Sequence, residues 1–318
     1  MSPTPMPTPM AASSHQQALL RAQAEAGRLP PLLAAAERVA SSVAQGVHGR
    51  RRTGSGESFW QFRPFSPGDT PRRIDWRQSA RSGLDAPRGW FIRETEWEAA
   101  QTVFLWTDRS ASMQFRSTGT TVSKLERADL LLLALASLLL RGGERVRLLG
   151  AETRFSGGQA ALEALAMALN TLPPGEVPPL SAPVPPFSHA VLIGDFLAPL
   201  EEIRASLARL AALPVRGCVL QILDPAEVLL PYEGRVRFTG MEADGEVLLP
   251  RVNAVREEYA RRLAAQQEGL AALCAGMGFT FSIHRTDRGP ELPLLALHQA
   301  LAGNQGENSR ADNSRAST

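Results

Sequence analysis

The sequence predicts an α/β protein, a parallel sheet covered by helices, with a small accessory β element. Three observations carry that prediction. From residue 99 onward, short β-branched or aliphatic runs alternate with longer helical runs, the pattern of a parallel sheet with helices on its faces. Two of those strand-like runs are followed at once by an aspartate, Asp108 and Asp195. Residues 46–98, in contrast, are rich in Arg, Gly, Pro and Trp and lack helical periodicity.

Residues 1–15, rich in Pro, Ser, Thr and Ala, and residues 303–318, rich in Asn, Ser and Arg, read as disordered tails. Residues 16–45 predict two short helices. Leu19, Leu20 and Ala24 mark the first, Pro30-Pro31 interrupts, and Leu32, Leu33, Ala36, Val39 and Val43 mark the second, which the prolines open. Residues 46–98 read as an extended, hairpin-rich segment. Ser66-Pro67-Gly68-Asp69 is a turn signal, with Phe59–Phe65 and Arg73–Trp76 as its strands. Trp60, Trp76, Trp90 and Trp97 fall in this segment, and so small a β element needs such large side chains as its core.

A larger domain is predicted over residues 99–302. Thr102–Thr107 is an apolar strand, Ser123–Arg141 a long apolar helix stopped by Gly142-Gly143, and Arg145–Leu149 a second strand. Gly158–Leu172 is a helix ended by Pro173-Pro174, and His189–Ile193 is the strand that delivers Asp195. Leu200, Ile203, Leu207 and Leu210 mark the next helix, before the strand Val215–Leu223. Residues 227–249 then break the alternation as an inserted β-hairpin, Arg235–Phe238 and Glu246–Leu249 around Asp244-Gly245. Val252–Met277 is a helix, Phe279–His284 the last strand and Leu292–Leu301 a closing helix.

The 318 residues are 44% hydrophobic, enough for a sizeable core, and a net charge of +2 gives no support to nucleic-acid binding. Lys124 is the only lysine and has no Gly-rich loop before it, which argues against a P-loop. Cys218 and Cys274 fit buried, reduced thiols. The first residues lack the pattern of a secretory signal, and the longest apolar run, Leu130–Leu140, is well short of the roughly 20 residues of a membrane span. The expectation is a cytoplasmic protein with no membrane span.

The most chemically pointed stretch is Asp108-Arg109-Ser110-Ala111-Ser112-Met113. A carboxylate at the mouth of a strand, with hydroxyls two and four residues on, turns three oxygens to one point. Mg2+ takes such oxygen ligands and keeps waters besides. The competing explanation is an ordinary loop whose Asp and Ser cap the following helix. In open α/β sheets ligands sit outside the carboxyl ends of the strands where strand order reverses, so Asp108 and Asp195 share one crevice if their strands are neighbours. For Asp195 too, a helix-capping role competes. There is no G-x-S-x-G elbow, no second Asp of a phosphoaspartate hydrolase, and the histidines are scattered. A binding function is expected, not an enzyme.

The chain resembles the DUF58 proteins, bacterial proteins with a von Willebrand factor type A-like domain. The resemblance runs through Gly54–Phe59, Arg63–Asp69, Arg73–Trp76, Ser79–Arg81, Arg93–Glu96, Asp108–Met113, Asp195-Phe196 and Asp224–Glu227. It implies a Rossmann-like sheet bearing a metal-ion-dependent adhesion site, with Asp108, Ser110, Ser112 and Asp195 holding Mg2+ or another divalent cation such as Mn2+. The family pattern adds a threonine in an intermediate loop; at Gly157-Gly158-Gln159-Ala160 this chain has Gln159 instead, and Thr153 is the nearest alternative. The resemblance also implies a partner, a MoxR-type AAA+ ATPase, in a chaperone-like assembly where the site grips an acidic residue of a client protein. The alternatives are a metal-dependent hydrolase using the same crevice and a scaffold whose metal site is vestigial. In the family's signature segment, which also holds Trp76, the charged residues Arg63, Asp69, Arg73, Asp75, Arg81, Arg93 and Glu96 read as a structural network tying the hairpin-rich segment to the sheet, with a binding role as the alternative.

Overall fold

The structure is a computed structural model that describes residues 30–45, 59–66, 69–71, 74–81, 83, 89–95, 101–151, 154–155, 158–179, 183–241 and 245–302. It divides into two units, residues 46–100 and the remainder of the chain. The expected tails, the expected first helix, Arg73, Glu96, Thr153 and Asp244 lie outside the described residues.

In the smaller unit, strand β1 (Phe59–Pro64) pairs antiparallel with β2 (Phe91–Thr95). The expected partner strand Arg73–Trp76 is not formed: Ile74 makes one bridge to Ile92, and Trp76–Arg81 is a helix, α2. The cause is local. Asp75 Oδ1 accepts the Gln78 amide (2.9 Å), which starts a helical turn. Ser79 Oγ then accepts the Phe91 amide (2.9 Å) and docks that turn on β2. Trp90 meets the edges of both Phe65 and Trp76, yet Trp76 is 58% exposed and is not the core residue expected. Of the charged signature residues, Asp69 caps its turn by accepting the Ser66 amide (2.8 Å), Asp75 caps α2, and Arg81 is exposed at its end. Arg63 and Arg93 lie in β1 and β2, their side chains outside the described residues.

In the larger unit, helix α1 (residues 30–45) opens at Pro30-Pro31, and Glu37 binds Ser137 Oγ (2.7 Å) and Arg141. The main sheet comprises β3 (Thr102–Thr107), β4 (Arg145–Leu148), β5 (Arg154–Phe155), β6 (His189–Gly194), β7 (Arg216–Leu223) and β10 (Phe279–Arg285), in the order β10-β7-β6-β3-β4-β5. Five strands are parallel and only the short edge strand β5 is antiparallel. Alternate residues face opposite sides. Phe104, Trp106, Ala190, Leu192 and Val219 form one core with Ile203 and Leu207 of α5 (Leu200–Ala211) and Leu270 and Cys274 of α7 (Arg256–Gly276). Helix α3 (Lys124–Arg141), packed beside α4 (Gly158–Leu169), covers the other face and buries Leu131–Leu135 completely. Cys218 and Cys274 are both free and buried, as expected.

The 227–249 excursion carries a separate antiparallel pair, β8 (Val236–Thr239) and β9 (Glu246–Leu249). A short helix precedes it, α6 (Pro225–Leu229), capped by Asp224. A 3-10 turn, Val252–Ala254, precedes α7, and α8 (residues 291–302) closes the described chain. No described helix is long and apolar enough to cross a membrane.

Candidate metal centre

From β3 the chain moves outward to β4 on one side, then returns to place β6 on the other, so strand order reverses between β3 and β6. That reversal leaves a crevice at the strands' carboxyl ends. Thr107 pairs with Ile193 in parallel register, so Asp108 and Asp195, one and two residues further on, arrive together. Asp108 is held there by donating its amide to Ile193 O (2.8 Å).

The loop then bends back on itself. Asp108 Oδ1 accepts the Ser110 amide (2.8 Å), and a 3-10 turn over Ala111–Gln114 brings Ser112 round. Ser110 Oγ lies 3.0 Å from Ser112 Oγ, and Ser112 Oγ donates to Asp195 Oδ2 (2.6 Å). The side-chain oxygens of Ser110, Ser112 and Asp195 thus form one contiguous run, which Asp108 joins through the Ser110 amide. Asp108 is fully buried, and its Oδ2 has no hydrogen-bond partner among the described residues. Gly194 permits this closeness: a Cβ there would lie 2.8 Å from Asp108 Cβ and 3.2 Å from Oδ2. Burial, and then the charge of Asp195, push the Asp108 carboxyl up to about 7.

The structure adds two residues that the sequence reading passed over. Lys124, fully buried at the start of α3, donates to Asp195 Oδ2 (2.8 Å) and to Glu227 Oε1 (2.6 Å). Burial works against its charge, but Asp195 and Glu227 outweigh it and hold its pKa above the ordinary value. Burial raises Glu227 above the ordinary range although Lys124 pulls it down. The other oxygen of Glu227 accepts the Asp224 amide (2.8 Å), completing the capping box of α6. Asp224 accepts from the Ser117 and Ala226 amides and from Thr120 Oγ1; these outweigh its burial and hold it below the usual carboxylate range. Two signals for the missed pair were present: Lys124 is the only lysine among 34 basic residues, and Asp224-Pro225-Ala226-Glu227 spells a helix start.

Gln159 does not occupy the threonine position. It is exposed in the first turn of α4 and lines a small cavity with Glu37, Leu140 and Arg141, at the far end of α3. The 18 residues of α3 put roughly 27 Å between that end and Lys124. The loop that does reach the crevice is the proline-rich one after α4. Gly175 O accepts the Arg109 amide (3.3 Å), and Glu176 lines the same cavity as Ser112 and Asp195. That cavity, about 450 Å³, is walled by Phe115, Leu197, Leu230, Tyr232, Phe238 and Tyr259. The Arg109 guanidinium turns away to an ion pair with Asp129 on α3 (2.9 Å).

The donor set is hard and oxygen-rich: two carboxylates and two hydroxyls. Among the described residues no group of three His, Cys, Asp or Glu side chains forms a metal cage. Yet Asp195 and Glu227 share a single ammonium, Asp108 adds a further carboxyl beside Asp195, and one buried carboxylate oxygen has no hydrogen-bond partner among the described residues. Those features fit a divalent cation that keeps waters in its shell.

Fold and site together define a parallel α/β protein with an acid-and-hydroxyl crevice at its topological switch. Residues 61–269 match the family described as "Protein of unknown function DUF58", and the chain belongs to that family. It is 29% identical over 299 residues to the uncharacterized proteins Rv1480 of Mycobacterium tuberculosis and Mb1516 of Mycobacterium bovis, with 86% of this chain and 90% of each relative covered. Among solved structures it is similar to BatB from Bacteroides thetaiotaomicron, at 17% identity and a TM-score of 0.36 over 64% of this chain and 98% of that one. An aerotolerance-related membrane protein from Bacteroides fragilis is matched at 17% identity and a TM-score of 0.35, over 64% of this chain and all of that one.

Proposed function

We propose that this protein is a cytoplasmic, non-enzymatic adaptor of the von Willebrand factor A type. Asp108, Ser110, Ser112 and Asp195 hold Mg2+ or Mn2+, directly or through water, and an Asp or Glu of a partner completes the shell. The observation that carries this reading is the buried Asp108 Oδ2, without a hydrogen-bond partner among the described residues, on the carboxylate that holds the Ser110 amide at the head of the Ser110, Ser112 and Asp195 chain. An ionised buried carboxylate without a partner is costly, and a cation is the group that relieves it. The ATPase partner, of the MoxR type, comes from the family resemblance.

Calorimetric titration with Mg2+ and Mn2+, on the parent protein and on Asp108→Ala, tests the metal. Binding by the parent alone is expected; no binding by the parent removes the mechanism. Co-purification with the ATPase, with and without chelator, tests the interface. Recovery unchanged by chelator means that the interface does not use the metal. One observation favours a second reading, a scaffold with a vestigial site. Lys124 already neutralises part of the cluster, and the same titration separates the two.

A further inference from the structure

Two carboxylates, Asp195 and Glu227, bind one ammonium, with Asp108 beside Asp195, and that ammonium is the chain's only lysine, fully buried. We propose that Lys124 is a built-in counter-ion: it lets the acidic cluster fold without a metal and holds the affinity of the site for divalent cations low. This rests on the metal-site reading above.

The geometry separates two seats for the ammonium. One is Asp195 Oδ2, 2.8 Å away, the oxygen that also accepts the Ser112 hydroxyl at 2.6 Å. A cation that takes this oxygen competes directly with Lys124. The other seat is Glu227 Oε1 at 2.6 Å, on a side chain fixed by the Asp224 amide on its other oxygen. When Asp195 turns to a metal, the ammonium keeps Glu227. It does not swing to solvent, because no part of it is exposed. Without Lys124 the three acids would sit together with no adjacent cation, and a buried charge that loses its partner is strongly destabilising. With it, a net negative charge remains, which draws a cation.

Removing the ammonium removes a repulsion against the metal. Even with the screening of bulk water, an ammonium and a divalent ion about 5 Å apart repel enough to change affinity by more than tenfold. The experiment is calorimetry with Mn2+ and Mg2+ at low ionic strength, with thermal melts in chelator, on the parent, Lys124→Gln and Glu227→Gln. Lys124→Gln is expected to bind Mn2+ at least about tenfold more tightly. It should melt lower than the parent in chelator, with a larger recovery on adding Mn2+. Glu227→Gln leaves the ammonium to Asp195 alone and should bind Mn2+ more weakly than the parent; if Lys124→Gln does not fold, this variant decides. Equal affinity of the parent and Lys124→Gln, or tighter binding by Glu227→Gln, overturns the counter-ion role while the metal reading stands. Failure of all three proteins to bind either metal overturns the metal reading itself.

Discussion

Asp108→Asn should make the protein more stable in chelator at pH 8, although it removes the central residue of the site. Asn Oδ1 still accepts the Ser110 amide, and the change deletes a charge buried beside Asp195 with one oxygen unpartnered. The magnitude follows from the Asp108 carboxyl, raised from 3.8 to about 7, chiefly by burial and then by Asp195. At about 1.36 kcal/mol per unit, ionising it in the fold costs at most about 4 kcal/mol relative to the unfolded chain. Replacement should recover roughly 2–4 kcal/mol of that, the Asn amide lacking an ideal partner of its own. The sign is set by a folded-state pKa above the unfolded one. The cost of ionising Asp108 is therefore absent below about pH 4, grows as pH rises, and is complete above about pH 7. The assay is urea unfolding in chelator, read by tryptophan fluorescence, at pH 4.5 and pH 8. The variant should be close to the parent at the lower pH and clearly more stable at the higher. A gap of equal size at both pH values, or a variant less stable at pH 8, refutes the claim that Asp108 is an uncompensated buried charge.

Two other changes test the surroundings. Gly194→Ala pushes a methyl to 2.8 Å from Asp108 Cβ, so overpacking should cost about 1–3 kcal/mol in urea unfolding and reduce Mn2+ binding in calorimetry. His284, lowered to about 4 by burial and then by Arg127, is neutral in the fold, so stability should fall as pH drops from about 6.5 to about 4. The ceiling of that loss is about 3 kcal/mol, and His284→Gln should flatten this limb of the urea-midpoint profile.

The sheet was legible because its strands are short aliphatic runs set between helices with clear stops, such as the Gly142-Gly143 that ends α3. The pairing of Asp108 with Asp195 was legible only as a condition, since both acids stand just past strand ends but the adjacency of β3 and β6 is set by the fold. Arg73–Trp76 misled because Asp75 caps a helix more strongly than the β-formers Ile74 and Trp76 favour a strand. Gln159 misled because counting along the chain cannot tell which end of α3 a loop faces. Lys124 stood out as the only lysine, but its role was not legible because its partners, 71 and 103 positions away, come together only through the fold.

The solitary, inaccessible lysine gives the protein an internal reporter. An amine-acylating reagent finds no exposed lysine side chain on the folded molecule, so modification of Lys124 requires the crevice to open. Its rate measures how often the base of α3 parts from β6 and α6. Any cation, client or ATPase that closes the crevice would then be read as protection of one side chain, told apart from the α-amino group by peptide mapping.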